Sequence, residues 1–110
     1  MLVAVKERTM RIGLHVRLSV HADAPGLRER LDALYTNLVV NETGNAALLD
    51  SDMNATLVSE TVATVEVRLT VDAADAGRAT EVGLASLRVA VSEAGVEAVE
   101  ESVEAKPLVA

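Results

Sequence analysis

The side chains best suited to chemistry stand together on one stretch, Met10–Gly26, MRIGLHVRLSVHADAPG. His15, Arg17, Ser19 and His21 occupy alternate positions there, so on an extended chain they share one face. Ser19 and His21 are neighbours on that face, as a nucleophile and its base must be, but no third group is spaced to orient the imidazole. His15 and His21 are six residues apart, about 20 Å on a strand, so one metal ion cannot reach both. The chain has no cysteine to complete a zinc set. What remains is a polar recognition face, in which a histidine can change charge near neutral pH.

Other patterns fail when tested against the chemistry they suggest. Asp50-x-Asp-x-Asn54 supplies the first three ligand positions of a calcium loop, but Ala55 stands where glycine is needed and Thr61 where the bidentate glutamate belongs. Asp50–Asn54 therefore reads as an Asx-rich turn. Asn41-Glu-Thr43 and Asn54-Ala-Thr56 match the glycosylation pattern, which has meaning only in a secreted chain. Glu97, Glu100, Glu101 and Glu104 read as a solvated strand edge rather than an acid–base pair. No glycine-rich loop forms a phosphate cradle. These readings give no catalytic residue, no metal and no cofactor, and the expectation is a protein that is not an enzyme.

The elements that must position these residues are legible from periodicity. From Met10 to Ala22, apolar and polar residues alternate without a slip, the pattern of a half-buried strand. Asp23-Ala-Pro-Gly26 stops it, with Asp23 as helix N-cap and Pro25 in the first turn. Leu27, Leu31, Leu34 and Leu38 then form one stripe, so 26–40 is an amphipathic helix whose solvated face carries Arg28, Glu29, Arg30 and Asp32. Gly44 is the expected left-handed stop. A second strand lies somewhere within 46–59. A third spans Val62–Ala73 and a second helix Asp75–Ala94, capped by Asp72 or Asp75. A final strand runs Val96–Val109, whose glutamates and Pro107 suit an edge.

Arg17-Leu-Ser-Val-His-Ala-Asp-Ala-Pro-Gly26 lines up with Arg68-Leu-Thr-Val-Asp-Ala-Ala-Asp-Ala-Gly77. A repeated strand–helix unit predicts βαββαβ. The expected fold is therefore a ferredoxin-like α+β sandwich, a four-stranded antiparallel sheet with two helices on one face. Residues 10–110 form its single domain and residues 1–9 an N-terminal arm. The bare sheet face would carry Arg11, His15, Arg17, Ser19 and His21, with Glu66, Arg68 and Thr70 beside them. Val82 and Val89 lie off the main stripe of the second helix, which suits a helix touching two things. His15, Arg17, Ser19, His21, Glu66, Arg68, Val82 and Val89 are accordingly the expected interface.

Composition narrows the partners. The chain has 110 residues, half of them hydrophobic, with one tyrosine and no phenylalanine or tryptophan. A core is affordable, but it must be built from Val, Leu and Ala. The formal net charge of −7 and the absence of aromatic platforms on the sheet argue against nucleic acid. No apolar run reaches the roughly 20 residues that span a bilayer. The first ten residues are too short and too charged for a secretion signal. The expectations are no membrane partner, a cytoplasmic location and, from the Ala, Val and Arg bias, an origin in a GC-rich actinobacterium or phage.

Asp23-Ala-Pro-Gly-Leu27 resembles the D-x-P-G-L turn of ACT-type regulatory domains. The matching residues are Asp23, Pro25, Gly26 and Leu27, and the leucine stripe and Gly95-Val-Glu-Ala-Val99 are also similar. The resemblance implies a ferredoxin-like module that pairs through its sheets or helices and binds an amino acid at the protomer interface. Three functional expectations follow: a homo-oligomeric interaction module that binds a protein or small ligand at its interface, an ACT-like amino-acid sensor, or a structural subunit of a phage or larger assembly.

Overall fold

A computed structural model describes residues 8–23 and 25–108. Six elements follow in order: β1 (Met10–His21), α1 (Leu27–Gly44), β2 (Leu48–Leu57), β3 (Val62–Ala73), α2 (Ala76–Ala94) and β4 (Glu97–Pro107). The strands form one antiparallel sheet in the order β2-β3-β1-β4, the ferredoxin-like α+β arrangement. The two strands with unbroken alternation, β1 and β3, take the centre. There one face must be wholly apolar and neither edge is open to water.

The inward residues of β1 and β3, from Ile12 to Val20 and from Ala63 to Ala73, are buried under the two helices. Leu27, Leu31, Leu34 and Leu38 of α1 close the core from above, each such side chain contributing about 1.5–3 kcal/mol of burial. Helix α2 buries mostly small residues, Ala79, Gly83, Ala90 and Ala94, around Leu87. That lets its backbone lie close to the sheet. A Cβ at Gly83 would collide with Leu14 and press on Leu69.

Several expectations change in the structure. Helix α1 runs on to Gly44, a turn beyond Val40, and Gly44 is its last residue rather than a left-handed stop. Asn41 is kept helical by a tie to α2: its side-chain amide donates to the Ser86 carbonyl at 3.1 Å. The N-cap of α1 is Gly26, at φ 143°, without a side-chain cap, so Asp23 does not serve there and Pro25 precedes the helix. Asp50–Asn54 is no turn. It is the body of β2, because Ser51 and Met53 face inward opposite Leu69 and Val67. The turn comes later, at 58–61, where Ser59 Oγ accepts from the N–H groups of Thr61 and Val62.

The ends of the outer elements shift slightly. Strand β1 ends at His21, one residue early, and its first inward residue, Met10, is exposed. Helix α2 is capped by Asp75, whose carboxylate accepts the Arg78 N–H at 2.8 Å, and not by Asp72. Strand β4 lies at the edge, as its glutamates suggest, and ends at Pro107. The rest of the expected arm, residues 1–7, and Val109 lie outside the described residues.

Candidate functional site

The open face of the sheet is set by strand parity. β1 contributes His15, Arg17, Ser19 and His21. Register places Arg68 and Glu104 on either side of His15, Glu66 and Ser102 on either side of Arg17, and Thr64 and Val99 on either side of Ser19. His21 lies at the far end between Val62 and Glu97, so the two histidines occupy separate places. Arginines run down the middle and carboxylates line both edge strands, Asp50 and Asp52 on β2 and Glu97, Glu101 and Glu104 on β4. Where β4 bulges, the extra residue Glu101 approaches Arg17, Oε2 to Nε 4.0 Å. His15 Nε2 is buried without a hydrogen-bond partner among the described residues. Beside it is a depression of about 320 Å³ lined by Gly13, His15, Arg68, Glu104, Lys106 and Leu108.

A larger groove, about 800 Å³, opens at the other end of the molecule. Pro25, Gly26 and Leu27 form one wall, and Leu57 and Val58 of the β2–β3 hairpin form the other. Leu57 is 41% and Val58 66% exposed, although parity turns Leu57 toward the helix layer. The helices end before they cover this hairpin, so its apolar side faces solvent. Three of the four residues of the D-x-P-G-L match therefore line one groove, and Asp23 is not among its lining residues.

Val82 and Val89 line a third concavity, about 780 Å³, between α2 and the C-terminal half of α1, together with Val40 and Leu48. The two helices are tied along this seam by polar side chains of α1. Asn37 donates to the Ala90 carbonyl at 3.1 Å, and Arg30 to the Gly95 carbonyl at 3.0 Å. Arg30 was expected on the solvated face with Arg28 and Asp32. It caps α2 instead, because the antiparallel crossing brings the end of α2 over the start of α1.

One ion pair was not legible in the sequence. Arg88 of α2 meets Glu100 of β4 in a two-pronged contact, Nε to Oε2 3.0 Å and Nη2 to Oε1 2.8 Å. The hydrogen bonds from Arg88 hold the Glu100 carboxyl below the usual carboxylate range, and those to Glu100 raise the guanidinium. Glu100 lies opposite Leu18 and so on the helix side, not on the solvated edge assumed for it. Nothing in the spacing of residues 88 and 100 signals the contact, which depends on how α2 lies across β4.

No family model matches the chain, and no curated protein matches it. Among solved structures, a C-terminal segment of the alpha subunit of aIF2 from Pyrococcus abyssi is similar over 83% of this chain, at 15% identity and TM-score 0.49. The chain spans about half, 49%, of that segment. PA3566 from Pseudomonas aeruginosa is similar over 90% of this chain and 92% of its own, at 18% identity and TM-score 0.41. Neither likeness bears on function. Among the described residues no helix is long and apolar enough to cross a membrane.

Proposed function

We propose that this chain is a non-enzymatic interaction module that works as a homo-oligomer and takes a protein partner or small ligand where its copies meet. The supporting observation is one group of its exposed apolar side chains. Leu49, Leu57 and Val58 lie along one edge strand and its hairpin, and the last two open onto the groove of about 800 Å³. Apolar surface left exposed at the margin of a sheet suits association. Native mass spectrometry of the purified protein tests this. A dimer or larger ring at micromolar concentration is expected, and a strict monomer would overturn it. A ring without added mass points to a structural subunit of a larger assembly.

A second reading is an ACT-like sensor of amino acids. It is favoured by one feature, the convergence of Pro25, Gly26 and Leu27 on the apolar groove at the uncapped start of α1. An amino acid there would direct its side chain toward Leu57 and Val58 and its carboxylate toward the free N–H groups of the first turn. Thermal unfolding with each amino acid in turn tests it. A rise in melting temperature that Gly26→Ala removes is expected. No rise with any of them sinks the idea.

A further inference from the structure

We propose that the depression beside His15, on the open face of the sheet, binds a phosphoryl group, free or carried by a small ester. The site is complete in a single copy of the chain and does not depend on the oligomeric reading. The starting observation is His15 Nε2, buried without a hydrogen-bond partner among the described residues. Buried polar atoms are almost always paired, so an unpaired one calls for a partner. The depression of about 320 Å³ adjoins this imidazole, and its volume is at the small end of ligand pockets.

Two rungs of the sheet build the site. In one, His15 of β1 lies between Arg68 of β3 and Glu104 of β4. In the next, Gly13 lies between Thr70 and Lys106. Residues two apart on a strand share a face, so all six belong to the open face. Gly13 contributes no side chain, which leaves the hollow. Around it stand an imidazole on β1, a guanidinium and a hydroxyl on β3, and an ammonium on β4. Donors from three strands suit the several oxygens of a tetrahedral phosphoryl group better than the two of a planar carboxylate. Arg68 and Lys106 are exposed, and among the described residues neither forms an ion pair. Asp52, opposite Arg68 on its other flank, accepts the Met53 N–H at 2.9 Å. Glu104 is the one carboxylate among the described lining residues, against the two cations. The chain's net charge of −7 opposes a long polyanion, but one phosphoryl group meets this local positive excess. Arg68, Glu104 and Lys106 are all exposed, so they can turn to admit a ligand to Nε2. Leu108 supplies an apolar end. Its N–H donates to the Arg11 carbonyl at 2.9 Å, and its side chain leans over Gly13. The carbon group of an ester would rest there.

Nuclear magnetic resonance titration at fixed ionic strength tests the site, with inorganic phosphate and glycerol phosphate as probes. The His15 ring nitrogens and the Gly13 amide are expected to shift and saturate. Saturation at lower concentration with glycerol phosphate assigns the site to an ester, and saturation at lower concentration with inorganic phosphate assigns it to the free ion. Arg68→Gln is expected to weaken binding by about tenfold, the worth of one charge-assisted hydrogen bond, and Lys106→Gln to act in the same direction. Glu104→Gln removes a like charge and is expected to tighten binding. A merely structural role would not give opposite signs to these exposed side chains. His15→Val is expected to keep its circular dichroism spectrum and lose most of the binding. The absence of a saturable shift at millimolar phosphate would overturn the site. So would shifts that are the same in Arg68→Gln, Lys106→Gln and the native protein. Either result leaves the oligomeric reading standing.

Discussion

Arg30, near the start of α1, donates its guanidinium to the carbonyl of Gly95, the left-handed residue that ends α2. The same nitrogen lies 3.4 Å from the Ala94 carbonyl. The last carbonyls of a helix have no partners within it, and here the other helix supplies one.

Arg30→Ala is expected to lower the unfolding free energy by about 1 kcal/mol, the usual value of a charge-assisted bond in a half-exposed place. Gly95→Ala is expected to cost at least as much, about 1–2 kcal/mol. Gly95 sits at φ 70°, and a Cβ there would stand 2.5 Å from the Arg30 guanidinium. Urea titration of both single variants and the double variant checks this. Strict additivity would show that the two residues do not act through one contact.

Gly83→Ala is expected to destabilise by about 1–2 kcal/mol. Helix propensity favours alanine by about 1 kcal/mol, but the added methyl collides with the fully buried Leu14. Overpacking a filled core costs about 1–3 kcal/mol. In a protein of this size each lost kcal/mol lowers the melting temperature by about 4 °C. A rise in melting temperature would mean that α2 can lift from the sheet freely.

The Arg88–Glu100 pair predicts a dependence on pH. Hydrogen bonds from Arg88 depress the Glu100 carboxyl. A depressed carboxyl stabilises fully above its unfolded value and loses that contribution as pH falls through its folded value. Glu100→Gln is expected to melt slightly below the native protein at neutral pH, and the two are expected to converge at acid pH, as the pH falls through the depressed value of Glu100. The effect is small because both side chains touch solvent and salt screens them. A gap that persists at acid pH would show that packing, not charge, explains the loss.

His15→Val is expected to raise the melting temperature of the isolated fold. Nε2 is buried without a hydrogen-bond partner among the described residues, which costs about 1–3 kcal/mol, and valine suits a central strand. A fall in stability confined to the oligomer would instead assign that nitrogen a partner on another copy.

Much of the fold is legible in the sequence. Strand β3 and helix α2 lie where alternation and the capping aspartate put them, because each has a clean period and a local stop. The Asp50–Asn54 segment misled because its polar residues imitate a turn. They tolerate a strand since one face of an edge strand is solvated and Met53 and Ser51 alone need cover. Gly44 misled because a helix ends where its tertiary contacts end, and the Asn41–Ser86 bond carries α1 past its local stop signal.

The candidate sites divide in the same way. The sequence by itself determined which residues share a face: His15, Arg17, Ser19 and His21 on one side of β1, and Pro25, Gly26 and Leu27 in one turn. Periodicity is a local property of the backbone, so it needs no fold to be read. Only the tertiary structure decided what lies opposite them. The pairing of β1 with β4 set Glu104 beside His15. The length of the β2–β3 hairpin beyond the helices turned Leu57 and Val58 into the wall of a groove. The lie of α2 across β4 brought Arg88 onto Glu100. Such relations depend on contacts between distant segments, and no spacing along the chain records them.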